Sequence, residues 1–219
     1  DPLRDLHNYI KSKIIEYAGS QNNSEIMIMD TSIGRGGDIQ KYLKIKNVSF
    51  ILGLDISNNV KEACRRYYFS KYKRKPNAVM IQYDTSKNIK DLEGLVGTKD
   101  EMNKSKQILS ILYDKKIKLS NDYVHIDSKI KNIAKNKFDI ISSQFSIHYY
   151  FKDEKTLRGY LQNISSNCKK GGVFIGTCYD GTKIFKVLSE SKKIEMKNEF
   201  KKTIYKIEKK YKDKSFDYK

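Results

Sequence analysis

Three glycines, Gly34, Gly36 and Gly37, fall in the run Asp30-Thr31-Ser32-Ile33-Gly34-Arg35-Gly36-Gly37-Asp38. A glycine cluster after a strand lets the backbone turn tightly and come close to a ligand. The free N–H groups of a following helix then favour polar or anionic ligand atoms. The same cluster also serves as a plain tight turn. Asp55 stands about 20 residues past the glycines at the end of a second apolar run, where a carboxylate can accept both hydroxyls of an adenosine ribose. Its structural alternative is a helix cap made by Asp55 or Ser57. Asp84 ends a third run and can take a hydrogen bond from an adenine amino group, or cap the next turn. The least ordinary segment is Ser142-Ser143-Gln144-Phe145-Ser146-Ile147-His148-Tyr149-Tyr150-Phe151. Aromatic faces stack on nucleobases and His can bond a base edge or phosphate. A buried aromatic cluster would have the same composition.

These residues need a scaffold that delivers them to one edge. Short apolar runs at Ile26–Met29, Ser49–Leu54, Ala78–Gln82, Phe138–Ser143 and Val173–Thr177 read as strands. Helical patterns fall at Leu3–Tyr17 (stopped by Gly19), Asp38–Leu43, Asn58–Tyr72 and Glu154–Asn167, the last ended by Lys169-Lys170-Gly171-Gly172. Strand and helix in alternation predict an α/β, doubly wound parallel sheet. A Lys-rich insertion spans about 94–127, with Ile108, Ile111 and Leu112 at helical spacing. Toward the C-terminus, Ser189–Lys202 reads as helix and Thr203–Tyr211 as strand.

The 219 residues carry a formal net charge of +18. Such an excess favours polyanionic partners, because Lys and Arg displace counterions condensed on phosphates. The abundance of Lys, Asn, Ile and Tyr also fits the codon bias of an AT-rich genome. No run of about 18 apolar residues can span a bilayer, and no signal peptide is visible. Cys64, Cys168 and Cys178 lie far apart and, with His7, His125 and His148, form no disulfide framework or metal-ligand spacing. No metal and a reducing, intracellular setting are expected. The chain opens at Asp1 inside a helical pattern, so residues 1–219 are expected to be a single domain excised from a longer polypeptide.

Taken together, these segments resemble the mRNA cap guanine-N7 methyltransferases of cells and large DNA viruses. The blocks that carry the resemblance are Leu3–Lys11, Asp30–Asp38, Gly53–Ile56, Phe138–Tyr149 and Gly171–Thr177, over Leu3 to about Leu188. The resemblance implies a Rossmann-like class I S-adenosylmethionine-dependent methyltransferase fold. Carried over by motif position, it places the methyl donor, S-adenosylmethionine, on Lys11, Asp30, Gly34, Asp55, Asp84 and Gln144, and the cap on Asn8, Phe145, His148 and Tyr149. It further implies the capped 5′ end of RNA as partner, linked RNA triphosphatase and guanylyltransferase domains, and a nucleus or a viral factory or virion as the place of action. Three departures stand out. Ser32 replaces the first glycine of the family's turn. Gly176-Thr177-Cys178-Tyr179-Asp180-Gly181 replaces Gly-Thr-Thr-Pro-Asn-Ser, which leaves one wall of the cap pocket unassigned. The chain stops before the family's later strands, so an incomplete antiparallel edge is expected.

Guanine N7 has a lone pair in the ring plane and no proton to lose. Catalysis is therefore expected to rest on in-line alignment without a catalytic acid or base, and positioning of this kind can supply roughly 7–11 kcal/mol. Other readings are a nicotinamide-dependent oxidoreductase, for which the Gln144–Phe151 block has no clear task, and a catalytically inactive methyltransferase fold acting as an RNA-binding or stimulatory subunit. A ribose methyltransferase would need a base, and no Lys-Asp-Lys-Glu set is assignable to that task.

Overall fold

The structure is a computed structural model that describes residues 2–22 and 24–212; residue 23 and both ends of the expected 1–219 span lie outside the described residues. The chain divides into two compact units, residues 1–10 with 178–219 and residues 11–177. Helix α1 (Pro2–Ser20) contributes to both.

The larger unit holds a five-stranded sheet of order β3-β2-β1-β4-β5, formed by β1 (Ile26–Asp30), β2 (Val48–Asp55), β3 (Asn77–Gln82), β4 (Phe138–Gln144) and β5 (Cys168–Thr177). Every pairing is parallel. The chain runs outward from β1 to β3 on one side and returns to β4 on the other, so the strand order reverses between β1 and β4. Ligands of open α/β sheets bind at that reversal, outside the carboxyl ends of the strands. The register brings those ends level: Asp30 lies opposite Gly53 and Ser142, Asp55 opposite Gln82, and Gln144 opposite Thr177.

Parallel strands covered on both faces read as near-continuous apolar runs, and two apolar clusters cover this sheet. On one side Phe50, Leu52, Leu54, Phe138 and Ile141 pack with Leu109, Ile111 and Leu112 of α4 (Lys99–Leu112) and Ile130 of α5 (Val124–Ile130). On the other, Ile28, Ile51 and Ile140 pack with Ile15 and Ala18 of α1, Ile39 and Tyr42 of α2 (Ile39–Tyr42), and Val60 and Ala63 of α3 (Val60–Tyr68). The basic insertion is thus part of the core on its apolar face. Its helix α4 starts in a capping box, with Thr98 accepting from the Glu101 N–H and Glu101 accepting from the Thr98 N–H.

Several boundaries differ from expectation. The buried residues of α1 are Ile15 and Ala18, while Leu6, Tyr9 and Tyr17 of the anticipated stripe are more than half exposed. Helix α3 ends at Tyr68, not Tyr72, because Lys75 Nζ folds back onto the carbonyls of Tyr67 (3.3 Å) and Tyr68 (2.7 Å) and stops the helix. Strand β5 starts at Cys168, directly after α6 (Glu154–Asn167). Its irregular register opposite Phe138–Ile140 accommodates Gly171 at φ +81°, a conformation open to glycine.

In the smaller unit the expected helix over Ser189–Lys202 is overturned. Helix α7 (Gly181–Glu190), capped by Asp180, precedes it, and Lys193–Lys197 forms β6, paired antiparallel with β7 (Thr203–Glu208). The turn explains the difference. The Asn198 side chain accepts from the Lys202 N–H at 2.9 Å, the Asn198 N–H donates to the Lys202 carbonyl, and Lys201 takes φ +59°. A hairpin closed by an asparagine side chain carries none of the glycine signals that announce a tight turn. The anticipated strand over Thr203–Tyr211 is present as β7.

Candidate active site

Three strands of the larger unit are followed by the same Asp-x-Ser pattern: Asp30-Thr31-Ser32 after β1, Asp55-Ile56-Ser57 after β2 and Asp84-Thr85-Ser86 after β3. In each, aspartate Oδ1 accepts the backbone N–H two residues on, at 3.0, 2.9 and 3.0 Å. Asparagine and aspartate close turns this way at little cost in backbone strain. Ser57 and Ser86 add hydroxyl bonds to the same oxygens at 2.5 and 2.7 Å. The pattern therefore fixes each carboxylate just past its strand and leaves Asp55 and Asp84 with lone pairs to spare. The repetition is legible in the sequence, though the general signal of an aspartate at a strand end does not reveal it.

The glycine turn is tied to β2. Gly34, at φ +51°, donates its N–H to Asp55 Oδ2 at 2.8 Å. Ile33 donates its N–H to the Leu54 carbonyl, and its side chain fills the space above Gly53, where a Cβ would lie 2.5 Å from Ile33 Cδ1. Ser32 takes an ordinary negative φ, so its replacement of the family's glycine imposes no backbone strain. Its hydroxyl accepts from Ser146 at 2.6 Å, which joins the turn to the segment after β4.

A cavity of about 1130 Å³ opens at this edge. Asp55, Asp84, Gln144, Phe145 and Tyr149, all expected in the site, line it together with Thr31, Ser32, Thr85, Ser146 and Tyr150. Gln144 is held from both ends: its Oε1 accepts from the Thr177 hydroxyl at 3.0 Å and its amide donates to Ser142 Oγ. Phe145 takes φ +54°, and its N–H donates to the Thr177 carbonyl at 2.9 Å. That left-handed turn breaks the strand and turns the aromatic segment along the cavity.

Five expected residues lie outside the lining. Asp30 is 2% exposed beneath the turn, where Oδ2 accepts from the Tyr42 hydroxyl at 2.8 Å. Burial, then the neighbouring Asp38 charge, pushes its pKa up to about 7. Lys11 pairs with Asp38 at 2.8 Å, which Lys41 shares at 2.8 Å. Gly34 acts through its bond to Asp55. His148 is exposed, with its ring 4.3 Å from that of Tyr149. Asn8 is half-buried in the smaller unit, where His7 meets Tyr179 edge-on at 6.2 Å.

Residues that sequence reasoning missed form the cavity's polar floor. Tyr150 and Tyr160 stack in parallel at 3.5 Å between ring centres. The Tyr150 hydroxyl lies 2.5 Å from Thr85 Oγ1, and the Tyr160 hydroxyl 3.0 Å from Thr31 Oγ1. Burial pushes both phenols up, so both hydroxyls keep their protons near neutral pH. Helix α6 anchors the Asp84 loop. Asn163, 1% exposed, donates to the carbonyls of Thr85 (2.7 Å) and Lys87 (2.6 Å) and accepts from the Ile89 N–H (3.0 Å). One turn earlier on α6, Gly159 faces the same loop: a Cβ there would lie 2.0 Å from the Ser86 carbonyl oxygen. Among the described residues no His, Cys, Asp or Glu cluster could hold a metal ion, and no helix is long and apolar enough to cross a membrane.

Comparison with known proteins agrees with this fold. The family described as "mRNA (guanine-N(7))-methyltransferase domain" matches residues 2–218. A probable mRNA-capping enzyme of Acanthamoeba polyphaga mimivirus is 28% identical over 88% of this chain and 15% of its own length. The mRNA cap guanine-N(7) methyltransferase of Caenorhabditis elegans is 25% identical over 93% of this chain and 45% of its own. The chain thus spans less than half the length of these curated relatives. Among solved structures, an S-adenosylmethionine-dependent methyltransferase from Clostridium acetobutylicum superposes with a TM-score of 0.50 at 18% identity, over 87% of this chain and 58% of its own. That likeness supports the fold, a Rossmann-like class I methyltransferase sheet.

Proposed function

This chain belongs to the family of mRNA (guanine-N(7))-methyltransferase domains, and from that premise we propose that it transfers a methyl group from S-adenosylmethionine to N7 of the guanine cap of RNA. One observation carries the reading. A single cavity at the strand reversal is lined by the carboxylates Asp55 and Asp84 on one side and by Gln144, Phe145 and Tyr149 on the other.

The donor set fits an adenosyl group. Asp55, at the end of β2, has lone pairs left for a ribose diol after its bonds to Gly34 and Ser57. Asp84, braced by Ser86, can accept from an exocyclic amine. Asp30 acts by holding Ser32 and Tyr42, and Lys11 by holding Asp38 at the end of the turn. Bound there, S-adenosylmethionine supplies an electrophilic sulfonium methyl. On the facing wall, Phe145 and Tyr149 offer rings for a purine, with His148 beside Tyr149.

Alkylation at N7 requires no base, so these residues bind, orient and exclude water. The protonated hydroxyls of Tyr150 and Tyr160 are engaged with Thr85 and Thr31 and serve to fix the floor. The partner is the capped 5′ end of an RNA, with linked capping domains elsewhere in a longer polypeptide. The setting is a nucleus or a viral factory. Incubation with labelled S-adenosylmethionine and GpppA-capped RNA, followed by nuclease digestion, tests the reading. Labelled 7-methylguanosine supports it; label on ribose, or none on the RNA, defeats it.

A further inference from the structure

The end of α3 and the loop after it carry a feature that the cap site does not use. Tyr68 and Phe69 are 73% and 68% exposed, and their rings stand edge to face with centres 5.0 Å apart. Around them the sequence between Glu62 and Asp84 contains six cations, Arg65, Arg66, Lys71, Lys73, Arg74 and Lys75, and no acid. All six are exposed. Glu62 draws on Arg65 and Arg66, while among the described residues no ion pair takes Lys71, Lys73 or Arg74.

The segment is held in place from both ends. The Tyr67 hydroxyl donates to the Pro76 carbonyl, the Ser70 hydroxyl donates to the Tyr67 carbonyl, and the Lys75 ammonium sits 5.5 and 5.9 Å over the rings of Tyr67 and Tyr68. Large exposed rings cost solvation and usually mark an interaction site when they cluster. Rings interleaved with unspent cations suit single-stranded nucleic acid, whose bases stack while its phosphates meet the charges.

We propose that Tyr68 and Phe69, with Lys71, Lys73 and Arg74, form a stacking platform for the single-stranded body of the RNA whose cap occupies the cleft. This rests on the capped-RNA reading above. The platform adjoins Pro76, at the start of β3, whereas the cleft lies beyond the end of that strand. Six strand residues separate the two edges by about 20 Å. An RNA reaches across with roughly six stacked nucleotides at about 3.4 Å each. The platform therefore ignores a cap dinucleotide and engages a longer transcript without regard to sequence.

The test uses two double variants of the full chain, Tyr68→Ser/Phe69→Ser and Lys73→Ala/Arg74→Ala, each checked for an unchanged melting temperature. The first readout is fluorescence anisotropy of an uncapped, labelled oligouridylate of about 20 nucleotides, longer than the span to be crossed. The ring variant is expected to bind it at least about 10-fold more weakly, since each lost ring removes a stacked base. The charge variant should flatten the log–log salt dependence by about 1.4, at roughly 0.7 per phosphate on a single strand. The second readout is methyl transfer, in which KM should rise for long capped RNA while kcat and KM for the GpppA dinucleotide stay as in the parent. Unchanged oligonucleotide affinity in both variants overturns the platform, as does binding to phosphatidylserine vesicles with none to RNA. A parent protein that binds the oligonucleotide through these residues but methylates no capped substrate would uphold the platform and sink the capping assignment instead.

Discussion

The Gly34 N–H and the Asp55 carboxylate are joined by a 2.8 Å hydrogen bond. The glycine turn and the strand-end acid, 21 residues apart, form one unit. A change at either alters the other, and the two halves of the proposed ribose site are set before any ligand arrives. This pre-organisation lowers the ordering cost of binding.

Substitution of that carboxylate should separate the two substrates. Asp55→Ala is expected to abolish detectable donor binding in titration calorimetry, while His148→Ala binds the donor as the parent does and loses cap methylation. Loss of donor binding in both variants would refute the division of the cleft into two walls.

Gly159→Ala should act at a distance from the chemistry. Its new Cβ would drive into the Ser86 carbonyl oxygen at 2.0 Å, so either α6 or the Asp84 loop must shift. Overpacking of this kind typically costs about 1–3 kcal/mol. Urea unfolding should show that loss, and the donor Kd should rise with it. A variant as stable as the parent would show that the loop yields freely.

Buried Asp30 predicts a pH dependence with a definite sign. Its folded pKa, about 7, stands above the ordinary aspartate value of 3.8, so the native state holds the proton more tightly. The group's contribution is complete below about pH 4 and is lost as pH rises through 7, amounting to about 4 kcal/mol at most. Asp30→Asn cannot titrate. The stability difference between parent and variant, from unfolding curves at pH 4 to 8, should therefore shift steadily against the parent as pH rises. A flat difference would mean that Asp30 is ionised throughout.

Ser32→Gly restores the residue usual in the family's turn. Because Ser32 has an ordinary negative φ, donor affinity should change by less than about threefold. Stability should fall by about 1 kcal/mol, from added freedom in the unfolded chain and loss of the Ser146 bond. A large gain in donor affinity would show that the serine distorts the turn.

The five strands were legible because buried parallel strands leave continuous apolar runs, and the carboxylates at their ends followed from the strand ends. The polar floor was not. Thr31, Thr85, Tyr150 and Tyr160 come from four separate segments, and only the closed sheet shows that their hydroxyls pair. Tyr150 reads as one aromatic among several until its burial is known. The hairpin of the smaller unit was hidden for a different reason: the run Ser189–Lys202 holds good helix formers, and one asparagine side chain overrides them. Lys11 and Asp30 were legible as positions but not as partners of Asp38 and Tyr42.

Helix α6 begins just after the aromatic segment of one wall and, through Gly159 and Asn163, grips the Asp84 loop of the other. Both walls therefore answer to one rigid rod. Any ligand that nudges this rod changes the fit of its counterpart by the same free energy in either direction. If the two walls hold cap and donor as proposed, a substitution in α6 that shifts one affinity shifts the other with it.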